Sequence, residues 1–243
     1  MKIFVTDGSA DGLFSAVFDA YREKEALITS DSSVQLTLDN EFVLVTSDEE
    51  KAERVRRGIE KYDREAVDEV LLSLRSCNKL KEQIAFEYIK KIMELKSSVR
   101  RRMNLPAVIE FDDLIYKINT ELHKMKGFLR FMESQDGALY APYSPDNDIT
   151  ELIMPHFAKR FASERFVIHD VSRKIAGMYD GHECIIGYAG EIEIYLSQYE
   201  RAFEQLWKKY YKSVNIKERP HEKQMKGYMP VRYWKFLPEK NEL

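Results

Sequence analysis

Hydrophobic positions change their period along this chain, and each change predicts a different element. Residues 2–6 (Lys-Ile-Phe-Val-Thr) are a short apolar run that predicts a strand, and Asp7-Gly8-Ser9 predicts the turn after it. Leu13, Phe14, Val17, Phe18 and Tyr21 then recur at three- and four-residue spacing, the pattern of an amphipathic helix. A strand, glycine turn and helix can hold a phosphate at the helix N-terminus. Here Asp7 and Asp11 flank that terminus and would repel one, so the turn reads as a helix cap. Phe42-Val43-Leu44-Val45 predicts a second strand. Ser47-Asp48-Glu49-Glu50 has the Ser-x-x-Glu form of a capping box, ahead of a helix through Ala52, Val55 and Ile59.

Helical spacing continues through residues 65–76 (Val67, Val70, Leu71, Leu74) and 80–96 (Ile84, Tyr88, Ile92, Leu95). Only Gly58 and Pro106 interrupt residues 48–123, which read as a helical layer. From Gly127 the period shortens. Residues 128–131 and 138–141 flank Asp136-Gly137 as a hairpin would, and residues 150–162 read as a helix. Residues 165–170, 174–179 and 183–187 predict three short strands, with Asp180-Gly181 as a turn. A long helix at about 195–213 precedes a basic, aromatic tail, 214–243. The predicted class is α+β: an N-terminal strand-helix plus helical layer, followed by a mostly antiparallel C-terminal sheet flanked by helices. The 243 residues are expected to act as one unit, with a subdivision into 1–105 (strand-helix and helical part) and 106–243 (α+β part with the basic tail). No internal repeat or low-complexity segment is present.

Composition narrows the class. At 44% hydrophobic, with 14 Tyr and 13 Phe, the chain has the material for a core and is not of the disordered type. No apolar run approaches the roughly 18 residues of a bilayer span, and the first residues turn polar too early for a secretory signal. Cys77 and Cys184 stand far apart with no CxxC, which predicts packed thiols in a reducing compartment, hence a cytoplasmic protein. No P-loop, Rossmann fingerprint, HExxH or GxSxG occurs.

The net charge of −3 at first argues against a polyanion partner. Residues 1–50, however, hold 3 basic and 11 acidic groups, leaving 35 basic and 30 acidic in the rest. Residues 200–243 alone hold 11 basic and 6 acidic. A basic face on the C-terminal part is therefore compatible with the sum.

Five histidines are present, and three share a local style. His123 precedes Lys126 and Arg130, His156 precedes Arg160, and His169 precedes Arg173, with the arginine four or seven residues on. Arginine can fix a phosphate or carboxylate through two hydrogen bonds, while histidine titrates near neutral pH. His123, His156 and His169 are thus the catalytic candidates, set against the reading that each is a separate structural residue. A metal site is not expected, since no His pair has i, i+4 spacing. His169 and Asp170 are neighbours in a predicted strand and point to opposite faces, which excludes a simple dyad. The three consecutive arginines at 100–102 suit either a solvated face or a phosphate contact. In the tail, Arg219, Arg232 and Lys235 interleave with Tyr233 and Trp234. Such residues could grip a phosphate backbone and stack on bases, or the rings could anchor the tail to its own domain with the lysines solvated.

Several of these stretches also carry a resemblance. They are Asp7-Gly8-Ser9, Ala16-Val17-Phe18 and Ala20-Tyr21, then residues 123–131 and 155–161, His169-Asp170 with Arg173, Trp207, residues 229–235 and 237–239. Through them the chain resembles a bacterial family associated with DNA metabolism and DNA repair. Its members are encoded beside a radical-SAM protein, and in other bacteria the same domain is fused to a uracil-DNA-glycosylase-like domain. The resemblance implies a DNA-repair context and such a partner, but no reaction and no cofactor.

Three functions follow as expectations. One is an accessory protein that binds DNA, single- or double-stranded, beside that partner. Another is an enzyme acting on a phosphate-bearing nucleic acid or nucleotide, with its histidines and arginines gathered in one cleft. The third is an interaction subunit whose acidic first fifty residues dock a basic partner.

Overall fold

A computed structural model describes residues 1–31, 40–190, 194–214 and 222–240, in two compact units, Met1–Asn119 and Thr120–Leu243. Arg219 and His221 of the predicted tail lie outside the described residues.

The first unit is built on β1 (Lys2–Val5), α1 (Ala10–Ala20), β2 (Ala26–Thr29) and β3 (Glu41–Leu44), with the parallel strand order β2-β1-β3. Lys2 faces Ala26 on one side and Glu41 on the other. Ser9 caps α1, its Oγ accepting from the Gly12 N–H at 3.0 Å, and Gly8 takes φ +79°, which glycine adopts without Cβ strain. The expected Ser47 capping box gives way to Asp48, whose carboxylate accepts from the Lys51 N–H at 3.1 Å. The Ser47 hydroxyl is used elsewhere, donating to Asp7 at 2.8 Å. Helices α2 (Glu49–Glu60), α3 (Ala66–Ser73) and α4 (Lys81–Leu95) follow as the helical layer, and Pro106 opens α5 (Pro106–Phe128). Proline suits that first helical position because its missing N–H would be unpaired there anyway. The core joins Phe4, Phe14, Ile28, Ile59 and Ile89, and Tyr88 stacks on Phe111 with ring centroids 3.8 Å apart. Arg100, first of the three arginines, is held among Asp63, Glu65 and Glu69.

Helix α5 begins in the first unit and ends in the second. The second unit holds a five-stranded sheet, β4 (Met132–Glu133), β5 (Leu139–Tyr143), β6 (Phe166–Asp170), β7 (Ile175–Tyr179) and β8 (Cys184–Tyr188), in that order. Every pairing is antiparallel except β5 with β6, which are joined through α6 (Thr150–Arg160). A helical crossover returns the chain in the same direction, so that pair is parallel. The β4–β5 hairpin turns at Gly137, at φ +78°. Phe131 meets Phe157, Phe161 and Phe166 edge to face or tilted, and Phe157 and Phe161 lie nearly parallel. Helices α7 (Glu200–Val214) and α8 (Glu222–Tyr228) lead to the 3-10 turns 231–236 and 238–240. Both cysteines are exposed, not packed: Cys77 lies between helices and Cys184 opens the edge strand β8. Among the described residues no helix is long and apolar enough to cross a membrane.

Candidate functional site

The end of α5 and the last turns of α6 face the same hollow. Four-residue spacing puts His156 and Arg160 on one side of α6, and Phe157 and Phe161 on the side next to it. Lys126 lies in the last turn of α5, and the chain leaving that helix brings Arg130 and Phe131 to the same place. The result is a cavity of about 360 Å³, within the range of roughly 300–1,000 Å³ typical of small-molecule sites. Lys126, Arg130 and Arg160 supply its cations, and Phe131, Phe157 and Phe161 its floor. Trp207 of α7 and the tail residues Met229, Leu237 and Glu239 complete the lining. The Glu239 carboxylate accepts from Trp207 Nε1 at 2.7 Å, which fixes the indole.

The three cations are not equivalent. Arg130 donates to Glu200 at 2.8 Å and to the Phe131 carbonyl at 2.9 Å, so its charge is largely answered. Lys126 and Arg160 make no ion pair with any described residue, and Arg160 lies over the Phe161 ring at 5.5 Å. Their unbalanced charge reaches His156, whose pKa is lowered by the water its imidazole loses and then by Lys126 and Arg160. An anion seated between Lys126 and Arg160 would reverse the electrostatic part of that shift.

The family known as DUF4130, a domain of unknown function, matches residues 79–239, well over half of the chain. The chain belongs to the DUF4130 family. No curated protein and no solved structure matches it. Every residue lining the cavity falls inside the DUF4130 segment.

The remaining candidates, although inside the DUF4130 segment, do not line this cavity. His123 is exposed on α5 and does not line it. His169 is 3% exposed on β6, with Nδ1 2.8 Å from the Tyr140 hydroxyl and Nε2 buried without a hydrogen-bond partner among the described residues. Its neighbour Asp170 faces the other way, accepting from Arg173 at 2.9 Å and from the Ser172 N–H at 3.0 Å. Arg173 also donates to the carbonyls of Pro145 and Asp146. The six histidines and arginines expected in one cleft are therefore divided: Arg130 and Arg160 line the cavity with His156 beside it, while His169 and Arg173 belong to separate contacts.

The tail is docked by its rings. Tyr233 is buried and donates its hydroxyl to Glu121 of α5, which removes it from the exposed, base-stacking role considered for it. Trp234 donates to the Met229 carbonyl at 3.1 Å. Arg232 pairs with Asp146 at 2.6 Å and approaches Glu121 at 3.5 Å, so its charge serves the fold; Lys235 is exposed and lies over Phe236 at 4.8 Å. Sequence reasoning missed Glu121 and Glu200, two carboxylates that hold Arg232 and Arg130 from far along the chain. It also missed the phenylalanine floor, although the Phe157–Phe161 spacing parallel to His156–Arg160 was a local signal for it.

Proposed function

We propose that this chain is an accessory nucleic-acid-binding protein of DNA metabolism or repair, working beside a radical-SAM or glycosylase-type partner. The single observation that carries the reading is the pair of unanswered cations, Lys126 and Arg160, above an aromatic floor. Cations of this kind meet phosphate, and rings of this kind meet a base or sugar. The family resemblance supports the DNA context and the partner, and the net-basic second part of the chain supports the sign of the ligand.

The test is fluorescence anisotropy on labelled single- and double-stranded oligonucleotides at about 50 and 200 mM salt. Affinity is expected to fall with salt. K126A/R160A should weaken binding to every sequence and flatten the log–log salt slope by roughly one to two, one for each phosphate no longer neutralised. No binding at about 50 mM salt, or a flat slope in the unaltered protein, would refute the reading. In that event, co-purification of a protein partner would favour the interaction-subunit alternative.

One observation favours a second reading, an enzyme acting on a phosphate-bearing nucleotide. His156 stands beside both free cations with a lowered pKa, so at neutral pH its imidazole is a ready proton acceptor. H156A that binds normally but loses turnover would support an enzyme; no turnover on nucleotide or nucleic-acid phosphoesters by the unaltered chain would remove it.

A further inference from the structure

Beside the cavity lies a second hollow of about 640 Å³, and Arg130, Phe131 and Trp207 line both, so the two adjoin. Its far wall is α7. Phe203, Leu206, Trp207 and Tyr210 recur at three- and four-residue spacing along that helix and line the groove together, and Tyr199 precedes them in the same register. These side chains are not tucked away. Tyr199 is 61% exposed, Phe203 58%, Trp207 43% and Tyr210 57%. An uncovered stripe of large rings on a protein surface marks a binding face.

Resting on the nucleic-acid reading, we infer that this face takes single-stranded DNA, with a phosphate held by Lys126 and Arg160 and the adjoining unpaired bases laid against the rings of α7. Charge argues for this occupant. The groove adjoins the cavity that holds Lys126 and Arg160 and shares Arg130 with it, and Lys209, exposed on the flank of the same helix, is in no ion pair with a described residue. The two carboxylates in the groove are engaged: Glu200 accepts from Arg130 and the Glu133 N–H, and Glu133 accepts from Ser197. Shape argues for it too. Trp207 is pinned by Glu239, and its ring lies 5.7 Å from that of Tyr210, a pre-set platform for flat partners. In a duplex the base faces are already stacked on one another, so only unpaired bases can use such a platform.

The experiment compares three probes by anisotropy, oligo(dT), an abasic oligonucleotide of equal length and a duplex, with the unaltered chain and with F203A and Y210A. Oligo(dT) is expected to bind at least tenfold tighter than the abasic strand and the duplex, and each substitution to weaken oligo(dT) by about tenfold while leaving the abasic strand unchanged. Both substituted rings are exposed, so the fold should survive, and circular dichroism checks it. If the duplex or the abasic strand binds as tightly as oligo(dT), or if F203A and Y210A bind like the unaltered chain, the inference is overturned while the phosphate reading stands. It is equally overturned if the two substitutions abolish self-association in sedimentation and leave DNA binding intact, since the face then joins two copies. If no probe binds in a salt-dependent manner, the phosphate reading fails as well.

Discussion

Replacing Glu121 with alanine tests whether a buried carboxylate holds the tail. Glu121 is 5% exposed. Its oxygens accept from the backbone N–H groups of Asp146 and Asn147, each at 2.8 Å, from Asn147 Nδ2 at 2.7 Å and from the Tyr233 hydroxyl. Burial raises the carboxyl pKa, but these donors outweigh burial and leave it below the ordinary value. In E121A those donors lose this acceptor in a dry setting, and Arg232 keeps its pair with Asp146 and its bond to the Tyr233 hydroxyl. Removing one partner from such a buried charged network costs about 3–5 kcal/mol. For a unit of this size, that lowers Tm by roughly 15 °C. E121Q keeps the Tyr233 bond but turns an amide toward other donors, and should cost about half as much. Thermal and urea melts followed by tryptophan fluorescence would read both. An E121A melt within about 3 °C of the unaltered protein would refute the reasoning, because packing alone would then hold the tail. The acid limb supplies a second check. With the native pKa depressed, this carboxylate's contribution is complete above the unfolded value of 4.5 and is lost as pH falls below it toward the native one. Stability of the unaltered chain should therefore fall more steeply below about pH 4.5 than that of E121A.

Two further predictions concern α6. A Cβ added at Gly177 would overlap Met154 Sδ and lie 3.1 Å from Ile186 Cδ1, and Met154 is itself fully buried. G177A should cost about 1–3 kcal/mol, and G177A/M154A less than the two single substitutions added together, by urea melts; strict additivity would show that the two side chains do not compete for this space. The pKa of His156, followed by NMR of its ring protons, should rise in K126A and rise again when a phosphate-bearing strand binds; a titration curve unmoved by K126A would separate Lys126 from the imidazole.

Elements governed by short-range spacing were legible in the sequence. The helices of the layer, the Gly137 hairpin, α6 and the strands β6 to β8 stand within a few residues of where the hydrophobic period put them. Strand β2 was not legible. Ala26–Thr29 is four residues following a charged stretch, and it becomes a strand only by pairing with β1 in parallel register across the length of α1. The first sheet's parallel arrangement was hidden for the same reason.

The candidate site divides along the same line. His156 and Arg160, four apart on one helix, stand beside Lys126 as local geometry allows. Which cations remain free is decided at long range. Arg130 is answered by Glu200, 70 residues on, and Arg232 meets Glu121, 111 residues back. Arg173 differs again: it is answered by Asp170, three residues away, because that carboxylate is buried and has no solvent to turn to. Counting charge along the chain therefore overstates how much of the basic C-terminal part is available to a polyanion. Once pairing is taken into account, the cations at the cavity that are in no ion pair with a described residue reduce to Lys126 and Arg160. A few free cations give only a shallow salt dependence, so tight binding at this site has to draw on its rings, which ties affinity to unpaired bases and not to phosphate density.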